Sequence, residues 1–524
     1  MTPTTTQGLG PLPTATDPHD GVREFADYGD LVRDRCDVLV VGSGPGGAVA
    51  AKELAEAGRD VILLEEGPPC GKQDFDLEPG KGMQRWFREG SARAARGNML
   101  TPTMQPIALG GGSVFNSAIC ARPPAWVLDR WADKLGSQAL TLDSLAPHYE
   151  RVEAQLSIGP TPVEVQGKRN LLFKRGCDEL GITSEPTPRN VAGCRGSAEC
   201  FSGCRNGAKK SLDVTYVPAA IRAGARVYSC VRAERVLTDG RRATGMRGRV
   251  IEPFTLREHG RVHIDAKAIV LAAGCMATPV ILLRSGVANS GGAVGRHLQF
   301  HPGIAVMAIY AEPIDPWTGA TQGYHSLHYL KQGMKLEVLW VPPGVLATRM
   351  PGVGIDYQRH LMRFGHLAPY DVIIQTKHST GRVALRPGSW HPDIRFHMDQ
   401  RDVDLLRRGA ALLSDVCWAS GAEAILPGIN GMPELIESRD EAEVIRKTKM
   451  KATDPIIASN HAFSSTRMSR NPKEGVVDVT GRCHDLDNVY IADTGIFPDS
   501  PAVNPMHTCM ALADYIAQNI AAQW

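Results

Sequence analysis

Residues 36–67 read CDVLVVGSGPGGAVAAKELAEAGRDVILLEEG, and their order decides the fold. Residues 38–41 are a short apolar run, as a buried parallel strand requires. Gly42-x-Gly44-x-x-Gly47 follows at once. In that spacing Gly42 permits a sharp turn, Gly44 lets backbone approach a diphosphate, and Gly47 lets helix and strand pack closely. Pro45 and Gly46 lie inside the turn. Residues 48–57 are strong helix formers, and Gly58 is a natural stop. Residues 61–64 read as a second strand. Glu65 stands at its C-terminal end, 18 residues after Gly47, with Glu66 beside it. An acid there accepts bonds from ribose hydroxyls, and the helix N-terminus holds the diphosphate. The unit predicts a dinucleotide site; by itself it does not separate NAD from FAD.

Composition sets the outer bounds. The chain has 524 residues, 43% of them hydrophobic and 22% charged, which predicts a soluble globular protein of more than one domain, and the strand–helix–strand unit at its start makes it α/β. A net charge of +2 offers no electrostatic case for nucleic acid or an anionic membrane. No apolar run is long enough to span a bilayer. The first 22 residues are rich in Thr, Pro, Gly and Asp and lack the basic and apolar regions of a secretory signal. They predict a flexible arm, drawn over residues 1–30. Twelve cysteines in so long a chain predict reduced, buried thiols and a cytoplasmic protein.

Residues 68–106 show no clear periodicity and predict an extended loop over the cofactor. LGGGSVFNSAIC follows at 109–120. Gly111, Gly112 and Ser113 offer backbone amides and a hydroxyl suited to phosphate or a flat ring. With both glycine stretches in hand, the chain resembles the glucose–methanol–choline (GMC) oxidoreductases, a family of FAD enzymes. The resemblance implies an FAD-binding Rossmann-like domain with a second, mostly antiparallel-sheet substrate domain. It places Asn116 near the flavin ring. Members with covalently attached FAD carry a histidine where this chain has Phe115, so the resemblance implies non-covalent FAD.

Residues 190–220 contain Cys194, Cys200 and Cys204 ahead of Gly-Ala-Lys-Lys-Ser. The block resembles the long-chain alcohol oxidase branch of the family, with cholesterol oxidase more distant. Three thiols so close raise an iron–sulfur site, but no fourth ligand lies nearby. The expectation is no metal, with reduced thiols or one local disulfide. Residues 226–230, 233–237 and 268–273 read as strands. The resemblance makes Ala233 a contact to the adenine, and Ala273 and Gly274 end a further cofactor-facing strand. Residues 276–286 resemble the family's second signature, and 294–302 its turn before His301-Pro302, where His301 reads as structural.

Residues 303–460 carry few motifs. Runs at 336–341 and 372–375 predict the antiparallel substrate sheet. Residues 402–420 predict a helix whose apolar face is Val403, Leu406, Ala410, Leu413 and Cys417. The expected division is 31–125, 190–310 and 470–524 for the FAD domain, with 126–189 and 311–469 for the substrate domain.

The block NHAFSSTRM at 460–468 resembles the family's His-x-x-Gly-Thr-Cys-Arg-Met-Gly, departing from it at Ser464, Thr466 and Ser469. Asp493 opens a turn like the family's flavin-binding aspartate, and Asn504-Pro505-x-x-Thr508 matches its Asn-Pro-x-x-Thr. Removing a hydroxyl proton calls for a base with pKa near neutrality, which suits histidine. A neutral amide orients the hydroxyl without competing for the proton. The resemblance assigns those roles to His461 and Asn504. His507 is the rival base. The expected partners are a small-molecule alcohol, with a lean toward lipophilic ones, and oxygen or another electron acceptor. Sugar or sterol oxidation, and a flavin-holding lyase or photodecarboxylase, are the alternatives.

Overall fold

A computed structural model describes residues 18–76, 78–339, 343–347 and 350–523. Two sheets carry the architecture. In the first, Arg226–Tyr228, Val61–Leu64, Leu31–Val41, Glu258–Leu271 and Val489–Ile491 run parallel, side by side in that order. Val38–Val41 and Val61–Leu64 are wholly apolar and buried, as strands covered on both faces must be. The 14-residue strand Glu258–Leu271 serves twice. Its first half pairs with an antiparallel hairpin, Val231–Asp239 and Arg242–Ile251, and its last residues pair with Val489–Ile491.

The helix Pro45–Glu56 packs against the closing helix Met506–Ala522, so both ends of the chain cover one face of the sheet. Small residues let the first helix lie against the backbone at the strand ends. A Cβ on Gly46 would lie 1.5 Å from the Ala492 carbonyl oxygen, and one on Gly47 would lie 1.7 Å from that of Gly42. Gly42 itself has φ +97°, a backbone conformation that favours glycine.

The second sheet is antiparallel. Ala424–Leu426, Gly303–Ile309, Leu367–Ile374, Met334–Val338, Tyr324–Ser326 and Glu185–Pro186 follow one another, and Ile457–Ala458 also pairs with Gly303–Ile309. The helix Gln400–Ala419 packs against it and buries all five residues of the expected apolar face. The fold is the expected one, a parallel nucleotide-binding layer joined to an antiparallel layer.

Packing redraws three boundaries. Gly303–Ile309 lies inside the antiparallel sheet, although 190–310 was assigned to the FAD domain. The helices Ala125–Leu135 and Leu142–Leu156 share the core of the first sheet, although 126–189 was assigned to the substrate domain. Their apolar stripes, Trp131 and Tyr149 among them, meet the closing helix and its approach, which sequence order alone does not reveal. Of the expected arm, residues 1–17 lie outside the described residues. Beyond them Val22–Arg23 adds a parallel strand beside Arg226–Tyr228, and the Tyr28 hydroxyl donates to the Ser229 carbonyl at 2.9 Å. Open strand-edge groups recruit this short segment into the sheet.

Gly46 tests the contact between the chain's two ends. Gly46→Ala forces a Cβ into backbone and is expected to cost about 2 kcal/mol or more, as overpacking does. A melting temperature within a degree of the parent protein's would show that the contact yields.

Candidate active site

A cavity of about 700 Å³ runs between the two sheets. At one end it touches Glu65, Glu66 and Ala233, and at the other Glu337, His461 and Asn504. Gly42, Gly44, Pro45, Gly46, Gly111, Gly112, Asn116, Ala273, Gly274, Asp493 and Pro505 line the space between. Of the nineteen residues expected at the site, only Gly47, Ser113 and Thr508 stand behind its wall. Gly47 is packed on Gly42. The Ser113 hydroxyl donates to the Gly110 carbonyl at 2.7 Å and accepts from the Leu212 N–H at 3.0 Å. The Thr508 hydroxyl accepts from Tyr149 at 3.1 Å.

The two glycine loops meet. Ser43 Oγ donates to Glu65 at 2.7 Å and accepts from the Gly110 N–H at 2.9 Å. Glu65 also accepts from the Ser43 and Gly67 N–H groups, each at 2.9 Å. Three of its roughly four acceptor sites are therefore taken within the protein. Burial pushes its carboxyl up, against the pull of these donors. Glu66 pairs with Arg88 at 2.7 Å. Burial would raise its carboxyl too, but Arg88 holds it below the usual range.

Asp493 accepts from the Gly274 N–H at 3.0 Å, the Thr278 hydroxyl at 2.5 Å and the Gly495 N–H at 2.7 Å. Burial nevertheless pushes its carboxyl up to about 6. Asn116 Nδ2 donates to the Met506 sulfur at 3.0 Å, and its Oδ1 accepts from the Ala118 N–H at 2.9 Å.

The shape and donors fit an extended dinucleotide. Gly44, Gly112 and Gly274 line the cavity, and nothing lies within 4 Å of the Cβ each would carry. Gly44 caps the helix Pro45–Glu56, whose first amides lack intrahelical partners and favour an anion.

At the other end, His461 and Asn504 come together, with Asn504 Nδ2 3.4 Å from His461 Nε2. His301 joins them: its Nδ1 is 3.4 Å from His461 Nδ1, and its Nε2 is 2.7 Å from Ser500 Oγ. His301 lines the cavity. Burial pushes His461 down to about 4, Glu337 opposing and Lys335 reinforcing the shift. His507 does not line the cavity; it sits against the Cys120 carbonyl at 3.0 Å, near Glu153.

Lys335 and Glu337 escaped the sequence reading. The lysine side chain is 0% exposed and its Nζ donates to Glu337 at 2.5 Å and to Asn504 Oδ1 at 2.6 Å. Burial would raise the Glu337 carboxyl, but Lys335 holds it below its usual range. A signal was present: in Met334–Val338 two charges alternate with apolar residues, and the whole strand is buried. Charges repeating every second residue share one face.

All twelve cysteines are free thiols. Among the described residues no group of three or more His, Cys, Asp or Glu is arranged to hold a metal ion. The Arg189 guanidinium donates to Cys200 Sγ at 2.9 Å. Lys209 Nζ donates to the Val114, Asn116 and Cys200 carbonyls at 2.7, 2.7 and 2.8 Å, tying this block to the second glycine loop. Among the described residues, no helix is long and apolar enough to cross a membrane.

Known proteins resemble this chain over most of its length. An uncharacterized GMC-type oxidoreductase of Mycobacterium tuberculosis is 31% identical over 514 residues, 96% of this chain and 80% of that protein. A long-chain-alcohol oxidase of Arabidopsis thaliana is 28% identical over 95% of this chain and 69% of its own. The structure of formate oxidase from Aspergillus oryzae superposes with a TM-score of 0.72 at 16% identity, covering 94% of this chain and 99% of that one. The GMC oxidoreductase N-terminal and C-terminal family profiles match residues 39–303 and 377–513. The chain belongs to the GMC oxidoreductase family and is an oxidoreductase.

Proposed function

We propose that the protein oxidises an alcohol to an aldehyde or ketone, with non-covalently held FAD in the cavity and His461 as the base. The observation that carries this reading is the His461–Asn504 pair at the far end of the dinucleotide-shaped cavity. Bound FAD would supply the acceptor for the hydride that leaves the carbinol carbon. Gly42, Gly44, Pro45, Gly46, Gly111, Gly112 and Gly274 would supply close backbone for the cofactor, and Glu65, Glu66 and Ala233 line its other end. Phe115 supports a non-covalent cofactor. Its ring stacks on Trp86 in an apolar cluster and offers no nucleophile.

The chain's own residues handle the proton. Burial pushes His461 down to about 4, so its imidazole is neutral and holds a free lone pair at ordinary pH, but it is a weaker base than one near neutrality. Asn504 Nδ2 donates and so orients the substrate hydroxyl beside it. The antiparallel sheet walls this end of the cavity through Gly303, Glu337 and Ile373.

Likeness to long-chain-alcohol oxidases supports a lipophilic alcohol. Met104, Leu339 and Ile373 line the chamber and suit one. A second reading rests on Gln322, Glu337 and Asp371, which also line it and suit a polar, sugar-like alcohol. Anaerobic mixing of the yellow protein with matched panels of alkanols and polyols separates the two. Bleaching of the flavin band is expected with one panel. No bleaching by either, with cyanohydrin cleavage or light-driven decarboxylation instead, would sink alcohol oxidation altogether.

His461→Ala is expected to slow flavin reduction by the best substrate roughly 10²–10⁴-fold, the usual contribution of a general base. A loss under about tenfold contradicts the assignment. The acid limb gives a second check. Neutral His461 is the active form, and its depressed pKa keeps it neutral until pH falls to about 4. The limiting rate of flavin reduction should therefore fall through about pH 4. An acid limb centred near the ordinary histidine value of about 6.5 would contradict this.

A further inference from the structure

A lysine ammonium has three donors and no acceptor. Where Lys335 Nζ meets the Asn504 amide at 2.6 Å, the amide must therefore present its oxygen. Its Nδ2 then faces His461 Nε2 as a donor. A nitrogen facing a donor carries a lone pair, so the His461 proton resides on Nδ1. That nitrogen lies 3.4 Å from His301 Nδ1, which accepts. A neutral imidazole keeps one proton. His301 thus carries its own on Nε2 and donates to Ser500 Oγ at 2.7 Å. Ser500 Oγ in turn accepts from the Ala502 N–H at 3.1 Å.

We propose that Lys335 and His301 are positioning residues that together select the tautomer of His461 with its lone pair on Nε2, beside the Asn504 amide. The inference rests on His461 being the base of the proposed function. Lys335 acts through Asn504 and His301 acts directly on the opposite ring nitrogen, so each end of the imidazole is specified by a different sheet segment. Lys335 belongs to Met334–Val338, while His301 follows Gln299–Phe300, which pairs with Ala462–Phe463 beside the base. The His301 N–H donates to the His461 carbonyl at 3.3 Å, which holds the two rings in register. The two contacts to His461, from His301 and from the Asn504 amide, are each 3.4 Å and long for hydrogen bonds, as catalytic contacts without substrate commonly are. When His461 takes the hydroxyl proton, both its nitrogens become donors. Asn504 Nδ2 then loses its acceptor there, and His301 Nδ1 retains its role. The proton gained on Nε2 is the one lost by the substrate hydroxyl, so no further co-reactant is needed.

The test uses holoprotein labelled with ¹⁵N at histidine. His461 is identified by the signals that vanish in His461→Asn. The expected spectrum shows Nδ1 protonated and Nε2 bare. In Lys335→Met the amide is free to turn, and in His301→Leu the acceptor is gone. In both, the Nε2-protonated form should appear. Flavin reduction by the best alcohol should slow roughly tenfold or more, with substrate affinity within about twofold. His301→Gln supplies an acceptor for His461 and a donor for Ser500, so it should restore the parent tautomer and most of the rate.

A proton on Nε2 in the parent protein overturns the proposal. So does an unchanged tautomer in both Lys335→Met and His301→Leu, or a His301→Gln variant as impaired as His301→Leu. Should Lys335→Met not fold, because Glu337 is left buried and unpaired, Lys335→Met with Glu337→Leu removes both charges and carries the same expectation. The tautomer is read without turnover. The expected spectrum with no alcohol able to bleach the flavin would therefore overturn the proposed function and leave only the tautomer assignment standing.

Discussion

The hydrogen-bonded link from Glu65 through Ser43 to Gly110 is the constraint on which the cofactor end depends. It joins the end of one strand, the first glycine turn and the second glycine loop, all buried. The bond between the loops, from the Gly110 N–H to Ser43 Oγ, is a neutral one worth about 0.5–1.5 kcal/mol, and Glu65 fixes the hydroxyl that accepts it. The contact is close: a Cβ on Gly111 would sit 2.8 Å from Gly44 Cα. This explains the double use of glycine. One set lets the helix reach the strand Val489–Ile491, and the other lets the second loop lie on the first. The cavity wall is therefore mainly backbone at this end, where a diphosphate needs amides rather than side chains.

The opposite end follows a different logic. Lys335 and Glu337 are charges in a strand whose five residues are all buried. Desolvating such a pair costs several kcal/mol per ion, and apolar replacements often serve stability as well or better. Stability alone therefore gives no reason for the pair. Its geometry gives one: the lysine bridges the carboxylate and the Asn504 amide, and so imposes a direction on a group that could otherwise face either way.

The cofactor half of the molecule was legible in the chain because its signals are local. Apolar runs at 38–41 and 61–64, a glycine spacing and an acid all fall within 32 residues, and each has a direct backbone meaning. The hairpin Val231–Asp239 and Arg242–Ile251 was read only in part, since its second strand is polar and exposed at alternate positions near its start. The placement of Gly303–Ile309 was misread because an apolar strand looks the same in either sheet. Lys335 and Glu337 were missed for a deeper reason. Their meaning depends on Asn504, some 169 residues away, and no local pattern announces such a partner.

Histidines show where sequence and electrostatics both stop and geometry decides. Burial pushes His461 and His507 alike down to about 4, so depressed basicity does not distinguish them. His507 is fully enclosed between the Cys120 carbonyl, the Tyr149 ring and Glu153, with no surface on the cavity. His461 has the same protonation behaviour but opens onto the chamber with an amide on one nitrogen and a histidine on the other. A shifted pKa identifies a buried group, and only access to the reacting atom makes that group a base. By that criterion His301, read from the sequence as structural, belongs with His461 rather than with His507. It lines the cavity, and its ring nitrogens face His461 Nδ1 and Ser500 Oγ.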